Sequence, residues 1–396
     1  MTKASEDGKS RIDGGDDSLQ RRTNLMNKFV SVICLTFALV GVSNAAEKGS
    51  WQVDWAKVVS AAKKEGQLDL FTNPNPTYLQ DFQKAFPEIK VSDLALGGGS
   101  QARLKVLAER RAGKYLADVD VGGPDTPISI LYPAKALDPI QPLLLLPEVT
   151  DTSKWFERKH HYIDPEGRHI LLFEGTAQAY VAHNTDSVKP DEIRSYWDLL
   201  NPKWKGKIVA QDPRFPGTVS QGSRFIFYHP ELGPKYLRRL LTDIDLVLSR
   251  DNRQMVDWVA GGKYAFSLFC RTTEIYQAMK QGLPFRLVGT YDLKEGASIV
   301  PITGAISLFN RAPHPNAARL FINWFLSREG QMAYQKSKIG FGGADSLRVD
   351  IPKDDVPLEA RRQPEGKYLM INKPEWFDMS PIMNLVKEVL GEAKQK

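Results

Sequence analysis

Along most of the chain the spacing of hydrophobic positions switches between a helical and a strand rhythm. Trp55, Val58, Val59 and Ala62 recur at i, i+3, i+4 and i+7, which predicts a helix from Trp51, with Gly66 placed to end it. The apolar run Leu68 to Thr72 predicts a strand, broken by Asn73-Pro74-Asn75-Pro76. Tyr78 to Phe86 reads as a helix and Ile89 to Leu96 as a strand; Gly97-Gly98-Gly99-Ser100 turns into a helix over Ala102 to Arg111. Ala117 to Val121 is a short strand closed by Gly122-Gly123-Pro124. Strands alternating with helices predict a parallel sheet in an α/β protein.

The rhythm lapses in the Leu/Pro-rich stretch from Pro139 to Pro147 and then resumes. Strands are predicted over His169 to Phe173, Gln178 to His183, Lys207 to Ala210, Asp245 to Leu248 and Tyr264 to Phe269, with helices over Gly233 to Leu241 and Arg253 to Val259. This second α/β set predicts a second lobe of the same class. Phe285 to Val288 and Ile299 to Phe309 read as extended, and Pro315 to Ser327 as a helix with Ala317, Leu320, Phe321, Trp324 and Phe325 on one face. Gly340 to Pro364 reads as loop, and a last helix is expected near Ile382 to Ala393.

The N-terminus carries a different pattern. Met26-Asn27-Lys28 leads into an apolar run from Phe29 to Val42, shorter than the roughly 20 residues needed to span a bilayer. Ser43 and Ala45 then stand at −3 and −1 before Ala46, so residues 1–45 read as a signal peptide with an N-terminal extension, cleaved after Ala45. Thr23-Asn24 after Arg21-Arg22 argues against twin-arginine export, and Cys34 inside the apolar run argues against a lipid anchor. The mature protein is expected to be soluble and exported.

Composition narrows the classes. Hydrophobic residues at 42%, charged residues at 25% and a mean hydropathy of −0.35 exclude a disordered or collagen-like chain. Cys34 and Cys270 are too few for a disulfide framework or a four-cysteine zinc site. The net charge of +6 comes from 53 basic and 47 acidic residues mixed along the chain, a solvated surface with no expected nucleic-acid partner.

Catalytic patterns are sparse: G-x-S-x-G, H-E-x-x-H and Walker A runs are absent. Gly97-x-Gly99-x-x-Ala102 opens a helix, with Asp118 downstream, and would suit a phosphate-bearing cofactor in a secreted enzyme. It follows the second strand, however, and short Gly-rich turns are common, so no cofactor is expected. What remains is a turn with Ser100 as N-cap, presenting backbone N–H groups to an anion. His160-His161 reads as exposed polar surface, His183 as a hydrogen-bonded structural residue, and Cys270, after the apolar run Phe266 to Phe269, as buried and inert.

The most distinctive run is Ser195 to Ile208, SYWDLLNPKWKGKI. Ser195 and Asp198 predict a capping box, Pro202 stops the helix, and Trp197 and Trp204 can pack it on the next strand. This run, followed by Asp212-Pro213, resembles the corner of the solute-binding components of ABC importers, in the branch of ferric-iron, thiamine and phosphonate binding proteins. Trp55 through Leu68, and Arg110 to Lys114 leading to Ala117-Asp118-Val119, resemble other segments of that family. The resemblance implies a type II periplasmic binding fold: two α/β lobes, joined by two crossing strands, that close on a ligand in the cleft. It implies a first lobe over 46–150, a second over 151–284, and a return to the first lobe with C-terminal helices over 285–396. The expected partners are a small-molecule ligand and an inner-membrane ABC permease, for a periplasmic monomer without enzymatic activity.

Ferric-binding members of the branch carry a Tyr-Tyr pair where Arg271-Thr272 stands here. Fe(III) prefers phenolate or carboxylate oxygen, whereas a guanidinium offers a planar fork to carboxylate or phosphate, so bare ferric iron is disfavoured. A polyamine would need more acidic and aromatic groups than Asp125 and Tyr132. The expected ligand is a small organic anion held near Ser100 and Gln101, by Arg271 and Thr272, and by the loop from Asp212 through Arg214 to Thr218. Asn73, Asp125 and Thr126, after first-lobe strands, complete the expected site. Arg271 has an ordinary alternative, an ion pair with Glu274; ferric iron or an iron chelate remains the alternative ligand.

Overall fold

The computed structural model describes residues 50–72, 76–94, 99–189, 191–290, 292–339 and 342–391, without the side chains of 99–103. The first sheet is built from β1 (Gln67–Phe71), β2 (Lys90–Asp93), β3 (Val119–Gly122), β4 (Leu137–Asp138), β5 (His161–Tyr162), β6 (Ile170–Leu172) and β14 (Ala305–Phe309). It runs in the order β2-β1-β3-β14-β6-β5, with β4 also on β14. β1, β2 and β3 are mutually parallel, while β14 enters antiparallel between β3 and β6. The second sheet is built from β8 (Val181–Asn184), β9 (Ile208–Gln211), β10 (Val247–Ser249), β11 (Phe266–Leu268) and β12 (Phe285–Leu287). It repeats the plan of the first as β10-β9-β11-β8-β12, with β8 antiparallel to its neighbours.

The longer helices are α1 (Ser50–Glu65), α2 (Tyr78–Ala85), α3 (Gly99–Arg111), α5 (Thr218–Tyr228), α6 (Gly233–Thr242), α7 (Asn252–Ala260), α8 (Thr272–Lys280), α9 (Pro315–Leu326), α10 (Arg328–Ser337) and α11 (Ser380–Leu390). α4 (Pro147–Thr150) is a single turn. Gly66 ends α1 with φ of 65°, a conformation that costs glycine little. Pro315 takes the first position of α9, where its missing N–H is harmless, and the helix buries Leu320, Phe321 and Phe325 against the first sheet's core. Phe173 meets Phe325 and Tyr334 edge-on at 4.8 and 4.9 Å, pairs worth about 0.5–1.5 kcal/mol each beyond their buried area.

Two strands of a third, small sheet carry the chain between the lobes. β7 (Thr176–Gln178) follows β6 and leads to β8; β13 (Ala297–Val300) follows β12 and leads to β14. They pair antiparallel, with β15 (Tyr368–Met370) parallel on the far side of β13. The buried Glu174 ties both crossings to the first lobe. It accepts from Tyr334 Oη at 2.5 Å, Thr176 Oγ1 at 3.0 Å and the Thr303 N–H at 3.2 Å.

The expected strands Gln178 to His183 and Ile299 to Phe309 are therefore each two strands in different sheets, because each apolar run crosses between lobes. The expected boundary at 150/151 falls among the first sheet's own connections, since β5 and β6 belong to that sheet and β7 makes the transfer. Helices α5, α8 and α10 lie outside the elements that the sequence pattern predicts. Ser195 and Asp198 do form a capping box, on a short 3-10 helix, and Trp204 packs edge-on against Phe266 of β11 at 4.8 Å.

Candidate functional site

A cavity of about 180 Å³ lies where β7 meets the N-termini of α5 and α8. Thr218 opens α5 and Thr272 opens α8, so both first turns face the cavity. Neither N-cap residue, Gly217 or Arg271, caps its helix with a side chain. Helix N-termini carry unsatisfied N–H groups and partial positive charge, and two of them at one cavity favour an anion. Gln211 braces the first: its Oε1 accepts from the Val219 N–H at 2.8 Å. Phe269, with φ of 61°, turns the chain from β11 toward α8, and Asn252 Oδ1 accepts from the Arg271 N–H at 2.8 Å.

β7 contributes Thr176, Ala177 and Gln178, and Gln178 Nε2 donates to Thr272 Oγ1 at 3.4 Å. The strand between the lobes is thus itself a wall of the cavity. Arg271 stands at the rim with its side chain 61% exposed and paired to Glu274 at 3.0 Å, the ordinary alternative expected for it. Opposite in chemistry, Glu359 and Tyr276 line the same cavity. Among the described residues Tyr276 Oη has no hydrogen-bond partner, and burial followed by the charge of Glu359 pushes its phenol pKa up.

Of the residues expected at the site, Thr218, Arg271 and Thr272 come together here. Asn73 lies outside the described residues. Ser100 and Gln101 fall within the first turn of α3, which begins at Gly99, so Ser100 is helical and not the N-cap; their side chains are not described. Arg214 is a correction: its Nε and Nη2 both donate to Asp212, at 2.9 and 2.8 Å, so its fork is already occupied, and it does not line the cavity. Thr126 is buried before the one-turn helix Pro127–Leu131, away from the cavity wall.

Asp125 is exposed just past the end of β3 and does not line the cavity. Asp125 and Arg224 attract each other across the lobes without an ion-pair contact. Gln178, Gln221, Tyr276 and Glu359 line the cavity without having been expected there, and only the neighbourhood of Arg271 gives any signal for Tyr276.

Other expected roles shift as well. His160 and His161 are not exposed surface: each ring bonds a backbone carbonyl, of Val149 at 2.9 Å and Phe156 at 3.0 Å, and burial lowers both pKa values. His183 keeps a buried Nδ1 without a partner among the described residues, against the expected hydrogen bond. Cys270 is buried, its thiol pushed up to about 12 by burial. Tyr132 donates to Glu166 at 3.0 Å. Among the described residues, Asp69, Asp118 and His314 could offer metal-ligand atoms within 4.8 Å of one another. His314 Nδ1 already bonds Asp118 Oδ2 at 2.9 Å, while Asp118 accepts the Asp69 and His314 N–H groups, so the cluster clamps α9 to the first sheet.

Solved structures share the architecture, three of them as follows. IdiA (FutA) of Trichodesmium, in complex with iron and citrate, has a TM-score of 0.60 at 16% identity, over 83% of this chain and 100% of its own. A Bordetella ferric binding protein has 0.61 at 18%, over 83% and 100%. AfuA of Actinobacillus pleuropneumoniae, with exogenous fructose-6-phosphate bound, has 0.52 at 16%, over 83% and 98%. At these identities the likeness establishes the two-lobed fold. Residues 69–332 match the model of the bacterial extracellular solute-binding proteins, and the chain belongs to that family.

Proposed function

We propose that the chain is the exported substrate-binding component of an ABC importer, which captures a small organic anion in the periplasm and delivers it to an inner-membrane permease without turnover. The observation that carries the ligand class is the cavity where two helix N-termini meet, with Thr218 and Thr272 on its wall and Arg271 at its rim. A carboxylate, phosphate or phosphonate there would take backbone N–H groups and hydroxyls from the second lobe and, through Gln178, contact the interlobe strand itself. Closure about β7 and β13 is the working motion that this placement supports.

An iron chelate is the second reading. Tyr276 and Glu359 are oxygen donors of the kind Fe(III) takes, and a chelating organic anion could fill the remaining coordination positions.

A thermal-shift panel of carboxylates, phosphonates, sugar phosphates, thiamine and ferric chelates tests both. A ligand at 100 times its Kd adds about 2.7 kcal/mol, or several degrees. Organic anions are expected to raise Tm without iron, and Arg271→Ala to remove most of that rise while leaving the apo Tm nearly unchanged. A rise given by Fe(III) alone, and by no organic anion, would sink the anion reading.

A further inference from the structure

The cavity is lined by charges of both signs, held apart. Arg271 and the two helix N-termini supply positive potential, while Glu359, on the short 3-10 helix Leu358–Ala360, brings a carboxylate to another wall. Arg271 pairs with Glu274 and not with Glu359. Among the described residues no cation pairs with Glu359 and no side chain donates to it. Tyr276 Oη, close enough to feel the charge of Glu359, is buried and without a partner among the described residues. A phenol hydroxyl left open in a buried wall is costly unless a ligand completes it. A purely anionic ligand would satisfy the helix N-termini and leave Glu359 facing it with the same charge.

We infer that the ligand is dipolar: a carboxylate or tetrahedral oxyanion lies at the N-termini of α5 and α8, and a protonated amine lies against Glu359 and Tyr276. This deepens the anion reading and rests on it. The chemistry fixes the roles. The ammonium donates to the Glu359 carboxylate and to the Tyr276 oxygen, while the oxyanion accepts from the first-turn N–H groups that Gln211 and the turn itself do not already occupy and from Arg271.

The test is calorimetric titration and thermal shift of the full chain with ω-amino carboxylates from β-alanine to 5-aminopentanoate. Each is compared with the unsubstituted carboxylate of the same length and with the matching alkylamine. The same comparison is run with ω-aminoalkylphosphonates and alkylphosphonates. At one chain length the amino acid should bind about tenfold more tightly than its deaminated partner, the scale of a hydrogen bond to a charged group. Glu359→Gln should erase that difference, with the simple anion, freed of the facing carboxylate charge, binding at least as tightly as to the parent, and Tyr276→Phe should narrow it. If deaminated anions bind as well as the amino compounds, the dipolar inference falls and the anion reading stands. If the amines alone bind as well, or no probe binds, both fall. Discrimination that survives intact in Glu359→Gln removes Glu359 from the site and overturns the inference.

Discussion

Gly222 sits in α5, where any side chain would enter the ring of Phe269 and come within 3.1 Å of Tyr180. Phe269 has little room to swing aside, because it is buried and packed against Tyr180. Gly222→Ala should therefore destabilise by about 1–3 kcal/mol, read as a lower urea midpoint with an unchanged m-value. Glu174 offers a test by pH. Burial raises its carboxyl pKa above the ordinary 4.5 despite hydrogen bonds from Tyr334 and Thr176. The folded state then holds its proton more tightly than the unfolded one, so this contribution to stability is complete below pH 4.5 and is lost as pH rises through the raised value. Glu174→Gln, which stays neutral, should lack that loss: the Tm of the parent relative to the variant should fall from pH 4.5 toward neutrality. A parent that gains on the variant over that range would contradict the shift.

Among the elements, those with a clear period are legible. The amphipathic spacing of Trp55 to Ala62 and the apolar face of Ala317 to Phe325 each predict the helix that forms. α5 and α8 are not legible, because Thr218–Tyr228 carries Gly222 and a Phe-Ile-Phe-Tyr end, and Thr272–Lys280 opens on two β-branched residues. Helix propensity is poor in both segments, and tertiary packing decides them. The cost falls on the site, since these two helices build it. Arg271, Thr272 and Thr218 can be found through the corner and strand that precede them, whereas Gln178 opens what reads as one unbroken strand. Glu359 stands in a stretch without periodicity, and nothing in its local sequence marks it as a cavity wall.

At the scale of the molecule, the two sheets share one plan, in which the fourth strand in spatial order runs antiparallel to the third. The second sheet draws all its strands from residues 181–287, an unbroken span. The first does not: β14, at Ala305–Phe309, lies between β3 and β6, which precede the entire second sheet in the chain. Until β14 arrives, β3 and β6 share no neighbour, and the first sheet exists only as two fragments and the unpaired β4. Closing it requires contacts of long sequence separation, which form slowly. Pulse-labelled hydrogen exchange during refolding should show protection in β8 to β12 before β3 and β6; simultaneous protection, or the reverse order, would contradict this. The return strand thus makes completion of the first lobe wait on synthesis of the second, so a chain released early, short of residue 305, would have one sheet able to finish and one left with open edges.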